Sequence, residues 1–361
     1  MYLAGAITKV LVGCAITSIV NTTDEKVQIE EPVLKITEVE PETLSEPPGD
    51  DSTGHYVDCP GEVLKQLRLG HLNEEERREI EKTCLEYHDI FHLPGEVLSN
   101  TTVVKHEIRF EPGAEPINAR PYRLPESQKQ EVQRQVEELK RGGIITESNS
   151  PWNSPLLVVP KKADATGEKH WRLVTDYQKL NEKTVSDAYP LPDVTEILDQ
   201  LGQSRYFSCI DMVMGYHQIE VAEQDRAKTA FSTKEGHWEY IRLPFGLKTV
   251  PATFQRMMNV VLSGLMGLRC FVFLDDIVAY AKSLAEHDAK IRHVFDRFRE
   301  SNLKLKPEKC EFLWRVVSYL GHVISENGVL PDKTKTKAIE EFPTPPNCKT
   351  TQTFSRANEL L

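Results

Sequence analysis

The sequence predicts an α+β fold with helices packed on one face of an antiparallel sheet. Two observations predict it. Between residues 206 and 325, short β-prone apolar runs alternate with helical segments in a mixed order. Upstream, residues 126–141 (ESQKQEVQRQVEELKR) place Val132, Val136 and Leu139 on one helical face. No internal repeat is evident.

The elements follow in order. Residues 73–89 read as a short helix capped by Asn73, with acids in its first turn and with Leu85 and Ile90 facing inward. Residues 103–110 alternate as a strand does, and residues 116–125, with Pro121 and Pro125, read as extended. The helix 126–141 stops at Gly142-Gly143. Strands are predicted at 156–159 and 171–175, joined by the polar turn KKADATGEKH, and a helix at 192–201. YFSCIDM, GYHQIEV, TAFST and EYIRL then read as strands, 251–265 as a helix, and CFVFL and IVAY as strands. A helix over 284–301 and a strand pair near 312–325 complete the unit.

Length, at 361 residues, allows two or three domains. The net charge of −11 looks wrong for a protein that binds polyanions. The excess is local, however: residues 1–100 carry about −12 and residues 101–361 about +1, so basic side chains can still share a face. The seven cysteines are odd in number and lack zinc-site spacing, which fits a reduced, intracellular compartment. Residues 2–20 are rich in Ile, Val and Thr and read as strands rather than as a signal peptide or membrane span, since Lys9 interrupts them and no basic start precedes them. Residues 21–57 are acidic and Pro-containing, as a linker is. Asp51-Ser52-Thr53-Gly54 within them is similar to an aspartic-protease loop, but it carries an extra residue and lacks a preceding hydrophobic strand.

The sharpest chemical signal is Asp275-Asp276, set between two apolar β-prone runs. Neighbours in a regular strand point to opposite faces, so two adjacent carboxylates converge only at a hairpin turn. Brought together they repel, and one pKa rises unless a cation neutralises them. Magnesium, a hard ion that prefers oxygen, does so. Taken alone, the dipeptide reads equally as a solvated, inert turn. Asp211 follows the apolar run 206–210 and precedes Gly215 and Tyr216, which puts it at a strand end facing a cleft or makes it a turn cap. The chain between Asp211 and Asp275 is long enough to bring both to neighbouring strands. Three carboxylates on adjacent strands can hold two metals about 4 Å apart, an arrangement suited to activating a hydroxyl and stabilising a leaving pyrophosphate.

Eleven blocks stand in one order between about residues 68 and 342: LRLGHLNEEERREI, YHDIFHLPGE, SNSPWNSPLLVVPKK, HWRLVTDYQKLN, YPLPDVTEILDQL, DMVMGYHQI, DRAKTAFST, LPFGLKTVPATFQRMMN, FLDDIVAY, KLKPEKCEFL and YLGHVIS. Together they resemble the reverse transcriptases of gypsy-type LTR retrotransposons. The resemblance implies a right-hand polymerase fold, with fingers and palm over 116–330, an N-terminal extension over 58–115, the acidic, β-rich segment 1–57 upstream, and the truncated start of a thumb or connection over 331–361. It implies RNA-directed DNA polymerase activity with two magnesium ions, manganese substituting, held by Asp211, Asp275 and Asp276. Tyr216 matches the aromatic that packs under the incoming sugar and excludes a 2′-hydroxyl. Arg172, Lys161 or Lys162, and Lys309 match basic positions near the triphosphate. Phe245 and Gly246 match the loop lining the nucleotide pocket, with Gln255 beside it. Tyr319, Leu320, Gly321 and His322 match the hairpin that grips the primer terminus. The implied partners are an RNA or DNA template with its primer, deoxynucleoside triphosphates, other Pol products (RNase H, integrase, protease) and a second copy of the chain. The implied location is the cytoplasm, in a virus-like particle.

Five residues at three places depart from the family pattern. Phe273 replaces the usual Tyr before Leu-Asp-Asp, Thr249-Val250 stands for Asn-Ala, and Val213-Met214 is unusual before Gly215. Val250 is expected to add bulk near the nucleotide. Similarity fades after about residue 343, and Met1 falls inside what resembles a longer polyprotein, so a fragment or truncated copy is expected. The alternative function is an inactive remnant that only binds nucleic acid.

Overall fold

The structure, a computed structural model, describes residues 59–160 and 171–332. The readings of residues 1–57, the Asp51–Gly54 loop, Lys161, Lys162 and the segment from 333 onward lie outside the described residues.

Helices α1 (Cys59–Gln66) and α2 (Glu74–Glu86) come first. The Asn73 side chain accepts from the Glu76 N–H at 2.9 Å, and the Glu76 carboxylate accepts from the Asn73 N–H at 3.3 Å, a reciprocal capping box. Ile80, Cys84 and Tyr87 recur on the buried face, and Ile90 beyond them is buried as expected. Leu85, expected inward, is instead exposed, because it lies one residue past Cys84 and a helix turns about 100° per residue. Helix α2 docks across the chain: the Tyr87 hydroxyl donates to Asp296 at 2.6 Å and the Thr83 hydroxyl to Asp288 at 2.6 Å.

Strand β1 (Thr101–His106) precedes α3 (Glu126–Arg141), whose bounds match the periodicity of the sequence. Val132 and Val136 are buried, and Gly143 leaves the helix at φ +64. Then come β2 (Ile145–Glu147), β3 (Leu156–Pro160), β4 (Trp171–Thr175), α4 (Gln178–Lys183), α5 (Val194–Leu201), β5 (Tyr206–Ile210) and β6 (Ile219–Val221). Next are α6 (Glu223–Arg226), β7 (Phe231–Ser232), β8 (His237–Tyr240), α7 (Val250–Val261), β9 (Cys270–Phe273), β10 (Asp276–Ala281) and α8 (Leu284–Glu300). The last strands are β11 (Glu311–Trp314), β12 (Val316–Tyr319), β13 (His322–Ser325) and β14 (Gly328–Pro331), four where a pair was predicted. GYHQ, expected in a strand, is a 3-10 turn at Gly215–Gln218, entered through Met214 at φ +44.

The central sheet has the order β11-β5-β10-β9, antiparallel throughout. Its strands are apolar at both parities, so both faces are buried. Tyr206, Ile210, Val272, Ile277 and Ala279 join a core with Phe254 and Met257 of α7 and Ile291, Val294 and Phe295 of α8. Phe207, Phe271, Val278 and Tyr280 join Ile197, Leu198 and Leu201 of α5 with Val317 and Ile324. Most helical cover is thus on one face, and α5 shares the other with the β12-β13-β14 sheet. Smaller sheets, β2-β8-β7 and β3-β4, surround α3, and β1 pairs with β6 in parallel.

Three core histidines are held neutral. Burial pushes His106, His217 and His287 down to about 4. Each has a hydrogen-bond partner: Thr253 Oγ1 at 2.8 Å, the Leu243 carbonyl at 3.0 Å and Ser208 Oγ at 2.9 Å. The unfolded chain takes up these protons near pH 6.5 and the folded chain only near pH 4, so the stabilisation is full above 6.5 and is lost as pH falls through that window. The unfolding free energy from denaturant titrations should fall between pH 7.5 and 5.5 by roughly 1 kcal/mol for each histidine. His287→Gln should flatten the profile, and an unchanged slope would contradict this.

Candidate active site

Strand register assembles the acidic cluster. In the β5–β10 pair, Ile210 faces Ile277. One step further along this antiparallel ladder, Asp211 and Asp276 stand opposite each other at the end of the pair. Asp276 also pairs with Phe273 across the β9–β10 hairpin, leaving Leu274 and Asp275 as its two-residue turn. Such turns need a positive φ at the first central residue to match strand twist, and Leu274 supplies φ +54. The predicted hairpin is therefore present, and it tips Asp275 toward the same opening.

The electrostatics follow from this crowding. Partial desolvation raises the Asp275 pKa, the charges of Asp276 and Asp211 raise it further, and the nearby Tyr216 hydroxyl and Lys309 offset part of the rise. Asp276 is raised by desolvation and then by Asp211. The Lys309 ammonium lies 3.2 Å from Asp211 Oδ2 and partly neutralises that side of the cluster. Among the described residues, no three His, Cys, Asp or Glu side chains form a ready-made metal site. The donors nonetheless suit a hard divalent cation: all are carboxylates, they share one opening, and they repel one another without a counter-charge.

A cavity of about 830 Å³ opens beside them, lined by Arg172, Tyr216, Phe245, Asp211, Asp275 and Lys309. The Tyr216 ring is held by Phe245 at 5.0 Å and by Phe254, edge-on, at 5.2 Å. Gly215 makes this packing available, since a Cβ there would stand 3.2 Å from the Phe254 ring. The Arg172 guanidinium lies 5.7 Å from the Phe245 centroid, a cation–π contact that leaves its charge facing the cavity. Gly246, at φ +93, turns the loop, and its carbonyl accepts from Asn181 Nδ2 at 2.8 Å.

Residues 159–324 match the family model for reverse transcriptase (RNA-dependent DNA polymerase). The chain belongs to the reverse transcriptase family. It is 45% identical over 291 residues to the retrovirus-related Pol polyprotein from transposon 297 of Drosophila melanogaster, covering 81% of this chain and 27% of that protein. It is 37% identical over 292 residues to the Pol polyprotein from transposon gypsy of the same fly, covering 81% of this chain and 28% of that one. The chain thus spans about a quarter of the length of these curated relatives. Its fold is also that of the foamy viral protease-reverse transcriptase solved with an RNA/DNA hybrid, at a TM-score of 0.68 and 23% identity, covering 83% of this chain and 39% of that one.

Other residues singled out from the sequence fall in different places. Tyr319 is buried, and its hydroxyl donates to the Asp276 carbonyl at 3.1 Å, so it braces the acidic hairpin. Leu320 and Gly321 form the β12–β13 turn at φ +48 and +78. His322 pairs with Tyr319, and its Nδ1 lies 3.1 Å from the Leu320 carbonyl. Tyr319 and Leu320 line a second cavity of about 200 Å³ with all three aspartates. Gln255, expected beside the nucleotide pocket, lines neither of these two cavities. It is fully buried, with its amide bonded to the hairpin backbone, because its place on α7 faces the sheet. Val250 is likewise in the core, not beside the cavity. Phe273 packs against the second core cluster. Sequence reasoning missed Lys306 and His92 and noted Met214 only as a departure from the family pattern; all three line the larger cavity. Lys306 shares a block with Lys309 and was within reach of the motif. His92 comes from a distant segment joined only in space.

Proposed function

We propose that the chain is an RNA-directed DNA polymerase of an LTR retrotransposon, adding deoxynucleotides to a primer 3′-hydroxyl. One observation carries the reading: the register of β5 against β10 sets Asp211 opposite Asp276, beside Asp275 at the turn. Magnesium, two ions per site with manganese able to substitute, would be held by these carboxylates and would supply Lewis acidity toward phosphate oxygens. The residues around them do the rest. Arg172 and Lys309 offer positive charge to the triphosphate. Tyr216, clamped by two phenylalanines, would form the floor under the sugar and exclude a 2′-hydroxyl. Phe245 forms part of the pocket wall and Gly246 turns its loop, and the turn Tyr319–His322 steadies the primer end. The fingers would comprise α3 with β2–β4 and β7–β8, and the palm the central sheet with α7 and α8.

A hybrid or duplex as partner is supported by the foamy viral relative, which was solved with an RNA/DNA hybrid. Among the described residues no helix is long and apolar enough to cross a membrane. The proposed site of action is a cytoplasmic virus-like particle. Primer extension on poly-rA/oligo-dT with magnesium and dTTP tests the reading: product that depends on both is expected. Retained hybrid binding without extension would replace it with a binding-only remnant.

A further inference from the structure

The block YPLP holds a tyrosine that the proposed reaction does not use. Tyr189 lies between α4 and α5, away from the residues lining either cavity around the aspartates. Its hydroxyl accepts from Asn259 Nδ2 at 2.8 Å. Asn259 Oδ1 accepts in turn from Gln255 Nε2 at 3.0 Å, one helical turn back on α7. Gln255 Nε2 also donates to the Val272 carbonyl at 3.3 Å, and Gln255 Oε1 accepts from the Leu274 N–H at 2.9 Å. Leu274 immediately precedes Asp275 and holds φ +54, a strained conformation for a side chain of that size.

The polarity of this chain is set from one end. A backbone N–H can only donate, so the Leu274 amide requires an oxygen from Gln255. The Gln255 nitrogen must then face Asn259, whose oxygen receives it, and the Asn259 nitrogen must face Tyr189. The hydroxyl terminates the series as an acceptor. Tyr189 is itself fixed: the Arg256 guanidinium lies 4.6 Å from its ring centroid and pairs with Asp187 at 2.8 Å. An anchor on the 187–189 loop is thereby connected, through two side-chain amides on α7, to the backbone of the acidic turn.

We propose that Tyr189 is a positioning residue for the reaction, acting through Asn259 and Gln255 on the geometry of the Leu274-Asp275 turn. The inference rests on the polymerase reading above, and its test separates the two. In the full chain, Tyr189→Phe removes one hydroxyl and leaves the ring under Arg256. Hydrogen exchange at the Leu274 amide should accelerate about threefold to tenfold, the span of one lost neutral hydrogen bond. This readout needs no catalysis. In primer extension, kcat should fall by a similar factor while KM for dTTP and affinity for poly-rA/oligo-dT stay unchanged. Asn259→Ala should reproduce both effects, and adding Tyr189→Phe to it should change nothing further. Unchanged exchange at Leu274 in Tyr189→Phe would overturn the inference, as would losses that add in the double variant. A wild-type chain that never extends primers, with exchange still accelerated in Tyr189→Phe, would sink the polymerase reading and leave the structural link standing.

Discussion

Asp211→Asn should abolish primer extension while primer–template affinity stays near that of the wild type. The substitution keeps the size and removes one charge from a cluster of three. A carboxylate that holds a catalytic cation contributes several kcal/mol to the transition state, so the rate should fall on the order of a thousandfold or more. Folding should be little affected. Asp211 is partly exposed, and its pairing with Lys309 is a solvent-accessible ion pair, which contributes about 1 kcal/mol at most. Affinity should persist because contacts to backbone phosphates dominate nucleic-acid binding, and an acidic group offers none. The check is single-turnover extension beside a direct measurement of Kd for poly-rA/oligo-dT. If Kd weakens in proportion to the rate, Asp211 organises the binding surface instead, and the metal assignment fails.

The second large effect is expected at Tyr216. Its ring packs against Phe245 at 5.0 Å and Phe254 at 5.2 Å, so in the proposed reading a bulkier sugar meets a supported ring. Tyr216→Ala removes that floor. Selection for deoxy- over ribonucleotides should drop by about tenfold to a hundredfold, mainly through improved kcat/KM for ribonucleotides. Tyr216→Phe keeps the ring and should keep the selection. It also removes the hydroxyl beside Asp275, so any loss of rate there reports on the carboxylate and not on sugar choice. Equal discrimination by the alanine variant and the wild type would rule out the gating role.

Much of the site was legible because its signals are local. Asp275 and Asp276 sit between two apolar runs, and only a turn lets such neighbours converge. Leu274 and Asp275 form that turn. Helix α3 was legible to the residue, since Val132 and Val136 follow the helical period and two glycines end it. What failed had a non-local cause. Gln255 reads in sequence as a neighbour of the nucleotide loop, yet the direction it faces depends on how α7 rolls against the sheet, and the core packing of Phe254, Met257 and Met258 sets that roll. Leu85 failed for a similar reason: Ile80 and Cys84 claim the buried face, and it is left outside. The second sheet face, the parallel β1–β6 pair and the four strands after residue 310 were also beyond periodicity, which names an element but not its partner.

The residues alone determined where the three carboxylates stand in the chain, the alternation of strands and helices, and the family whose blocks they spell out. Only folding decided that Asp211 meets Asp276, because the match of one strand to another depends on where both faces find cover. It also decided that Tyr319 braces Asp276 and that Tyr189 reaches the acidic turn through two amides. Hydrogen bonds between side chains far apart in sequence leave no periodic trace, since each partner satisfies its own local pattern equally well without the other.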